Sequence, residues 1–480
     1  MASGKGSERS RALVWFRSDL RVSDNTALDA ACRQFQEVVA VFTICPDQWL
    51  EHDWASCRVT FLLQTLGELS SALEKLSIPL LIRTVPRFDG IAKELASVAK
   101  THDCDALYFN REYEVNELRR DTAVVEEFEA RGLRVRGYTD QVVIAPESIN
   151  TSQGKFYTVF TPYKKSWVRA LRAMGDIECR KTPRARRDLS LESDRVPSTV
   201  KGFAKRDLSK VWPAGEKEAR RRLKKFVARR ILDYAGSRDF PGVEGTSSLS
   251  PYLAVGSLSP RQCLKAALDA NNGSCDEGRL GVTTWISELI WREFYRHVLV
   301  GYPRVCRNHP FDLRTRDIEW REDDAGFERW CLGETGVPIV DAAMRQLAEI
   351  GWMHNRLRMV VAMFLTKNLF IDWRRGEKFF MNSLIDGDFA SNNGGWQWSA
   401  SVGTDAAPYF RVFNPMSQSE KFDPDGAFIR RYVPEISQRA GKDIHKPGPL
   451  EVFESYPPAL VDLKESRKRA IDLFRDTVYK

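Results

Sequence analysis

A chain of 480 residues, 43% hydrophobic and 29% charged, carries enough apolar material for about two or three buried cores. No apolar run reaches the roughly 18 residues that a membrane helix needs, so no membrane partner is expected. The net charge of +8 is too modest to mark a nucleic-acid binder by itself, and nine cysteines without a Cys-x-x-Cys pair argue against a disulfide framework or a structural metal.

In chain order, Met1 to Arg11 is small, polar and basic with no apolar segment behind it; a disordered leader is predicted rather than a secretory signal, hence a cytoplasmic protein, or a nuclear one in a eukaryote. From 12 to 143, short apolar runs alternate with amphipathic stretches. Leu13 to Phe16, Val38 to Phe42, Leu80 to Ile82 and Ala106 to Phe109 read as buried strands, with helices at Cys57 to Leu76 and Asp89 to Ala99. This is the pattern of a Rossmann-like parallel α/β domain, but the turn after the first strand, Arg17-Ser18-Asp19-Leu20-Arg21, lacks the glycines of a nicotinamide site.

Periodicity fades over 144–213, where Arg180 to Arg187 is strongly basic, and a solvated interdomain linker is expected there. From 214 to 480 helical periodicity dominates, at Ala219 to Tyr234, Pro260 to Ala270, Thr283 to Leu299, Val340 to Ile350 and Trp352 to Phe370. The predicted fold class is therefore α/β plus all-α. The basic helix around Arg220 to Lys225 is read as a solvated face or as part of a nucleic-acid surface.

Four constellations carry candidate chemistry. Ser250 and Pro251 form a plausible helix start after Thr246, Ser247 and Ser248; simple capping and phosphate binding both fit. Glu288, Trp291 and Arg292 share one side of a helix, either as an intrahelical ion pair or as the lining of a site that receives a base. Asn355, Arg358 and Met359 share a face of a helix with a strongly apolar continuation, so a buried Arg358 needs an anionic partner. Asp386, Asp388, Asn392 and the indoles of Trp396 and Trp398 surround a glycine-rich stretch; its spacing fails the EF-hand pattern and suits a flat organic ring with donors and acceptors.

The runs Glu-Leu-Ile-Trp-Arg-Glu-Phe-Tyr-Arg-His from Glu288, Trp-Met-His-Asn-Arg-Leu-Arg-Met from Trp352, and Asp-Gly-Asp through Trp-Gln-Trp from Asp386 resemble the flavin and substrate motifs of the photolyase/cryptochrome family. The segment Val14-Trp15-Phe16-Arg17 through Asp24-Asn25 and the Thr246–Ser250 stretch resemble that family as well.

The resemblance implies an α/β domain joined by a long linker to a helical domain that holds FAD. Tyr234, Thr246, Ser247, Ser248, Leu249 and Ser250 are implied to take the pyrophosphate arm. Arg358, Asp386, Asp388 and Asn392 are implied to surround the flavin ring, with Glu288, Arg292 and Asn355 beside it. An amide at Asn392 is the photolyase choice rather than the cryptochrome one, and Asn355 with Met359 points to cyclobutane pyrimidine dimers rather than (6-4) lesions.

In that scheme Glu288 hydrogen-bonds the lesion in damaged DNA, Trp291 and Trp398 pack against it, and Arg356 and Lys421 are phosphate candidates. Trp320, Trp373 and Trp396 match the family's electron-transfer chain, although packing alone accounts for them equally. Asn116 and Glu117 match the site for a 5,10-methenyltetrahydrofolate antenna, with Arg307 where that site has Lys after Cys306. A monomer is expected, and a cryptochrome-type blue-light photoreceptor is the alternative reading.

Overall fold

The computed structural model describes residues 10–446 and 456–478. The expected leader, up to residue 9, lies outside them. The chain forms two compact units: Met1–Ile149, Trp167–Lys225 and Ser248–Cys275 make the first, and Asn150–Ser166, Phe226–Ser247 and Asp276–Lys480 the second.

The first unit is built on a five-stranded parallel sheet in the order β3-β2-β1-β4-β5, with β1 Arg11–Phe16, β2 Glu37–Ile44, β3 Leu80–Thr84, β4 Ala106–Asn110 and β5 Arg134–Tyr138. β1, β2 and β4 are almost wholly buried, as expected of parallel strands covered on both faces by helices. Trp15 lies opposite both Val41 and Phe109 in the register. Strand β5 and the helix Val115–Ala130 escaped the sequence reading. β5 is an edge strand with exposed or half-buried residues, so it never shows an apolar run.

The stretch 144–213 is not a solvated linker. It contains the helix Phe160–Met174, and its later part is tied to the sheet unit by backbone bonds from Arg186 to Leu76 at 2.7 Å, Arg187 to Gln36 at 2.9 Å and Asp194 to Leu80 at 2.8 Å. These bonds satisfy carbonyls at the ends of helices and strands, and such pairing has no periodicity to betray it. The basic helix, Glu216–Arg229, is largely self-paired: Arg221 and Arg222 both bind Glu218, at 2.6 and 2.8 Å, which suits the solvated-face reading.

The second unit is helical around an apolar core that includes Trp330, Trp373 and Trp396. Two expected helices start differently. The helix Ser250–Ala254, in the first unit, is a short turn whose cap is Leu249 rather than Ser250, without a side-chain capping bond; its Pro251 stands second in the helix. The helix expected from Trp352 to Phe370 begins only at Asn355. Gly351, at φ +64, ends the preceding helix Pro338–Ile350, and His354 takes the capping position of Asn355–Met363. Beyond Met363 the chain widens into a π turn, Phe364–Asn368, and Phe370 at φ +58 stops it.

Candidate functional site

Glu288, Trp291 and Arg292 lie on the helix Leu280–Gly301, Asn355, Arg356, Arg358 and Met359 on Asn355–Met363, and Asn392 and Trp398 on Phe389–Ala400. Each helix buries most of its length in the unit's interior. Against that background Glu288, Trp291, Arg292, Arg356, Arg358, Met359 and Trp398 remain half-buried and Asn355 is exposed. The Phe389 helix packs against both of the others, so these accessible side chains belong to one neighbourhood of helices.

Glu288 does not take Arg292 as its ion-pair partner. Its Oε1 accepts from Arg238 at 2.5 Å, and Asp239, the next residue, pairs with Arg356 at 2.8 Å. Burial raises the Glu288 pKa while the Arg238 guanidinium opposes it. Sequence reading missed Arg238 and Asp239, because a charged pair in an irregular stretch carries no signal until folding brings it to another helix. Arg356 is also no free cation: besides Asp239 it lies over the Phe422 ring at 4.4 Å, so a DNA phosphate would have to compete for it.

Arg358 has its anion in Asp386, at 2.8 and 3.1 Å, and donates through Nε to the Met353 carbonyl at 2.9 Å. Asp388 serves first as an N-cap, accepting from the Ser391 amide at 2.9 Å, and pairs with Arg296. Burial works to raise its pKa, but the guanidinium groups of Arg296 and Arg292 hold it well below the usual carboxylate range. Asn392 donates to the Glu377 carbonyl at 3.0 Å, which fixes which way the amide points. A half-exposed guanidinium steadied by a buried carboxylate, with an oriented amide nearby on a packed helix, fits a flavin ring that presents carbonyl acceptors and an N–H. Tyr234 is buried at the start of a short turn, Tyr234–Ser237.

His354 caps its helix by accepting from the Arg356 amide at 3.2 Å through Nδ1. Burial depresses its pKa from 6.5 to about 4. The unfolded chain therefore binds this proton first, so stability falls as pH drops from about 6.5 towards about 4 and changes no further below that. Flavin release and thermal melting should follow this window, and His354→Asn, which keeps a capping oxygen without the titration, should flatten the slope; an unchanged slope would remove His354 as its source.

Trp396 and Trp373 are buried, at 2% and 1% exposure, whereas Trp320 is partly exposed and packs on Phe370 and Phe474. Gly376 lets the helix Trp373–Met381 approach Trp396, because a Cβ there would lie 2.2 Å from the indole. Trp330, which the sequence reading passed over, meets Trp396 edge-on at 6.0 Å.

In the first unit, strand order reverses between β1 and β4, where α/β folds place ligands at the carboxyl ends of the strands. Arg17 lies there over the Trp15 ring at 3.9 Å. Asn116 bonds His52 at 3.0 Å, and His52 is 3.4 Å from Glu117. Burial brings the His52 pKa down to about 4, so the ring is neutral and accepts from the Asn116 amide. Burial, with Glu114 adding to it, raises that of Glu117, whose Oε2 is buried without a hydrogen-bond partner. Arg307, in the second unit, is exposed at the end of the turn Pro303–Arg307.

Residues 12–184 match the family profile described as DNA photolyase, and residues 285–476 that of the FAD binding domain of DNA photolyase. The chain is 44% identical to the deoxyribodipyrimidine photo-lyase of Salmonella typhimurium, over 95% of this chain and 96% of that one. It is 44% identical to the enzyme of the same name from Escherichia coli, over 96% and 97%. Among solved structures, a class III photolyase from Agrobacterium tumefaciens superposes with TM-score 0.88 at 33% identity over the whole of both chains. A Synechocystis cryptochrome gives TM-score 0.84 at 29% identity, over 97% and 99%. Matched along nearly its full length on both units, the chain belongs to the DNA photolyase family.

Proposed function

We propose that this protein is a deoxyribodipyrimidine photo-lyase that repairs cyclobutane pyrimidine dimers in DNA with light. The observation that carries the reading is the set of accessible side chains, Glu288, Trp291, Asn355, Met359 and Trp398, on helices otherwise given over to the core. They stand on the helices that also carry the flavin candidates Arg358 and Asn392.

Arg358, Asp386 and Asn392 would hold the FAD ring, and Tyr234, Thr246 and Ser247 of the same unit would, by family resemblance, take its phosphates. When bound and reduced, FAD would supply on excitation the electron that opens the cyclobutane ring and would take it back from the separated pyrimidines. The protein's own part is recognition and placement. Arg238 keeps the Glu288 carboxyl in one orientation, from which it hydrogen-bonds a flipped pyrimidine. Trp291 and Trp398 offer flat apolar surfaces for the extruded bases, whose stacking a dimer has already weakened. Arg356 gives up Asp239 for a phosphate as DNA arrives, and binding weakens steeply with salt.

The deciding experiment illuminates the FAD-loaded protein with an oligonucleotide containing one thymine dimer and counts the thymines restored, with a dark control. No recovery, with blue-light absorption intact, would favour a photoreceptor of the cryptochrome kind, which the Synechocystis likeness keeps in view.

Trp320, Trp373 and Trp396 would relay electrons from an external reductant, met at the partly exposed Trp320, inward to bound oxidised FAD. Trp320→Phe, at the exposed end, should abolish photoreduction of the flavin while leaving repair by chemically reduced enzyme intact. Photoreduction at the original rate would assign Trp320 to packing alone.

The orphaned Glu117 oxygen, the neutral His52 and the Asn116 amide form an acceptor and donor set suited to a reduced-folate antenna.

A further inference from the structure

Phe160 lies face to face on Trp291, ring centroids 3.7 Å apart and planes 6° from parallel. Aromatic pairs in protein interiors favour edge-on or offset contacts, as Phe294 does with both of these rings at 5.8 and 5.6 Å. A parallel stack this close fixes the plane of the indole while Trp291 stays half-buried.

Phe160 is itself held in place. It is buried, its amide donates to Oδ2 of Asp405 at 3.3 Å, and the Thr404 hydroxyl donates to the Thr158 carbonyl at 2.6 Å. The Tyr157 amide donates to Nε2 of His297 at 2.9 Å, and His297 is a fully buried residue of the Trp291 helix. Residues 157–160 thus strap the Trp291 helix to the turn that follows the Trp398 helix, all within the second unit.

We infer that Phe160 is a positioning residue for damaged DNA: by stacking on Trp291 it holds the indole at the angle on which an extruded pyrimidine dimer packs. The inference rests on the reading of Trp291 as a lesion contact. Loss of the stack frees the indole to rotate, which weakens dimer binding and leaves the chemistry of bound dimer alone.

The test measures KM and kcat for a dimer-containing oligonucleotide, affinity for the undamaged duplex, and flavin content. Phe160→Ala should raise KM about five- to ten-fold, with kcat, undamaged-DNA affinity and flavin content unchanged. Phe160→Leu, which refills the volume without a π face, should behave as Phe160→Ala does, and Phe160→Tyr should restore KM. Should the alanine variant fail to fold, the leucine variant decides. Wild-type KM in Phe160→Leu overturns the inference, as does a loss of dimer binding matched by equal losses of flavin and undamaged-DNA binding. Trp291→Ala, run in parallel, separates the two levels. If it raises KM while both Phe160 variants do not, only the positioning role falls; if it too leaves KM unchanged, the reading of Trp291 falls and this inference with it.

Discussion

Replacing Glu288 by Ala should lower dimer repair by about ten- to a hundred-fold while flavin content stays at the wild-type level. A hydrogen bond to a charged group contributes about 1.5–3 kcal/mol, and each 1.4 kcal/mol is a factor of ten. Glu288 is poised for such a bond: it is half-buried, and Arg238 holds one of its oxygens at 2.5 Å and opposes the rise that burial gives its pKa. Glu288→Gln keeps the shape and can still accept one bond, so its loss should be smaller. Repair is read as thymines recovered per photon absorbed, and flavin as the visible absorbance per protein. Undiminished repair in Glu288→Ala would strike Glu288 from the recognition site.

The second large effect belongs to Asp386. Asp386→Ala leaves the Arg358 guanidinium in a low-dielectric setting without its carboxylate, and breaking a buried pair from one side costs about 3–5 kcal/mol. Because Arg358 keeps 27% of its side-chain exposure, the lower figure applies, which corresponds to a fall in Tm of roughly 5–10 °C. The variant should also purify largely without flavin, since Arg358 then lacks the group that aims it. Asp386→Asn should fall between the two. A flavin-replete Asp386→Ala protein with unchanged Tm would separate this ion pair from cofactor binding.

How much of this was legible beforehand differs by element. The buried strands announced themselves because a parallel strand covered on both faces must be apolar throughout, and β1, β2 and β4 are. The long helices were legible through their 3.6-residue rhythm. Strand β5 and the tethered stretch after Met174 were not, since an edge strand and a backbone-bonded extended chain carry no apolar rhythm. The start of the Asn355 helix was misplaced by three residues, because His354 caps it with an imidazole rather than with one of the usual capping side chains.

The sequence by itself determined the class, α/β followed by all-α, and named the residues proposed to carry the chemistry. Periodicity encodes burial locally, and long motifs encode a site even when their members are far apart in the chain. Tertiary structure alone decided the partners: Arg238 for Glu288, Asp239 for Arg356, Phe160 for Trp291. A charge or a ring meets its partner only after helices pack, and the distance between them is then set by the core beneath rather than by their spacing along the chain.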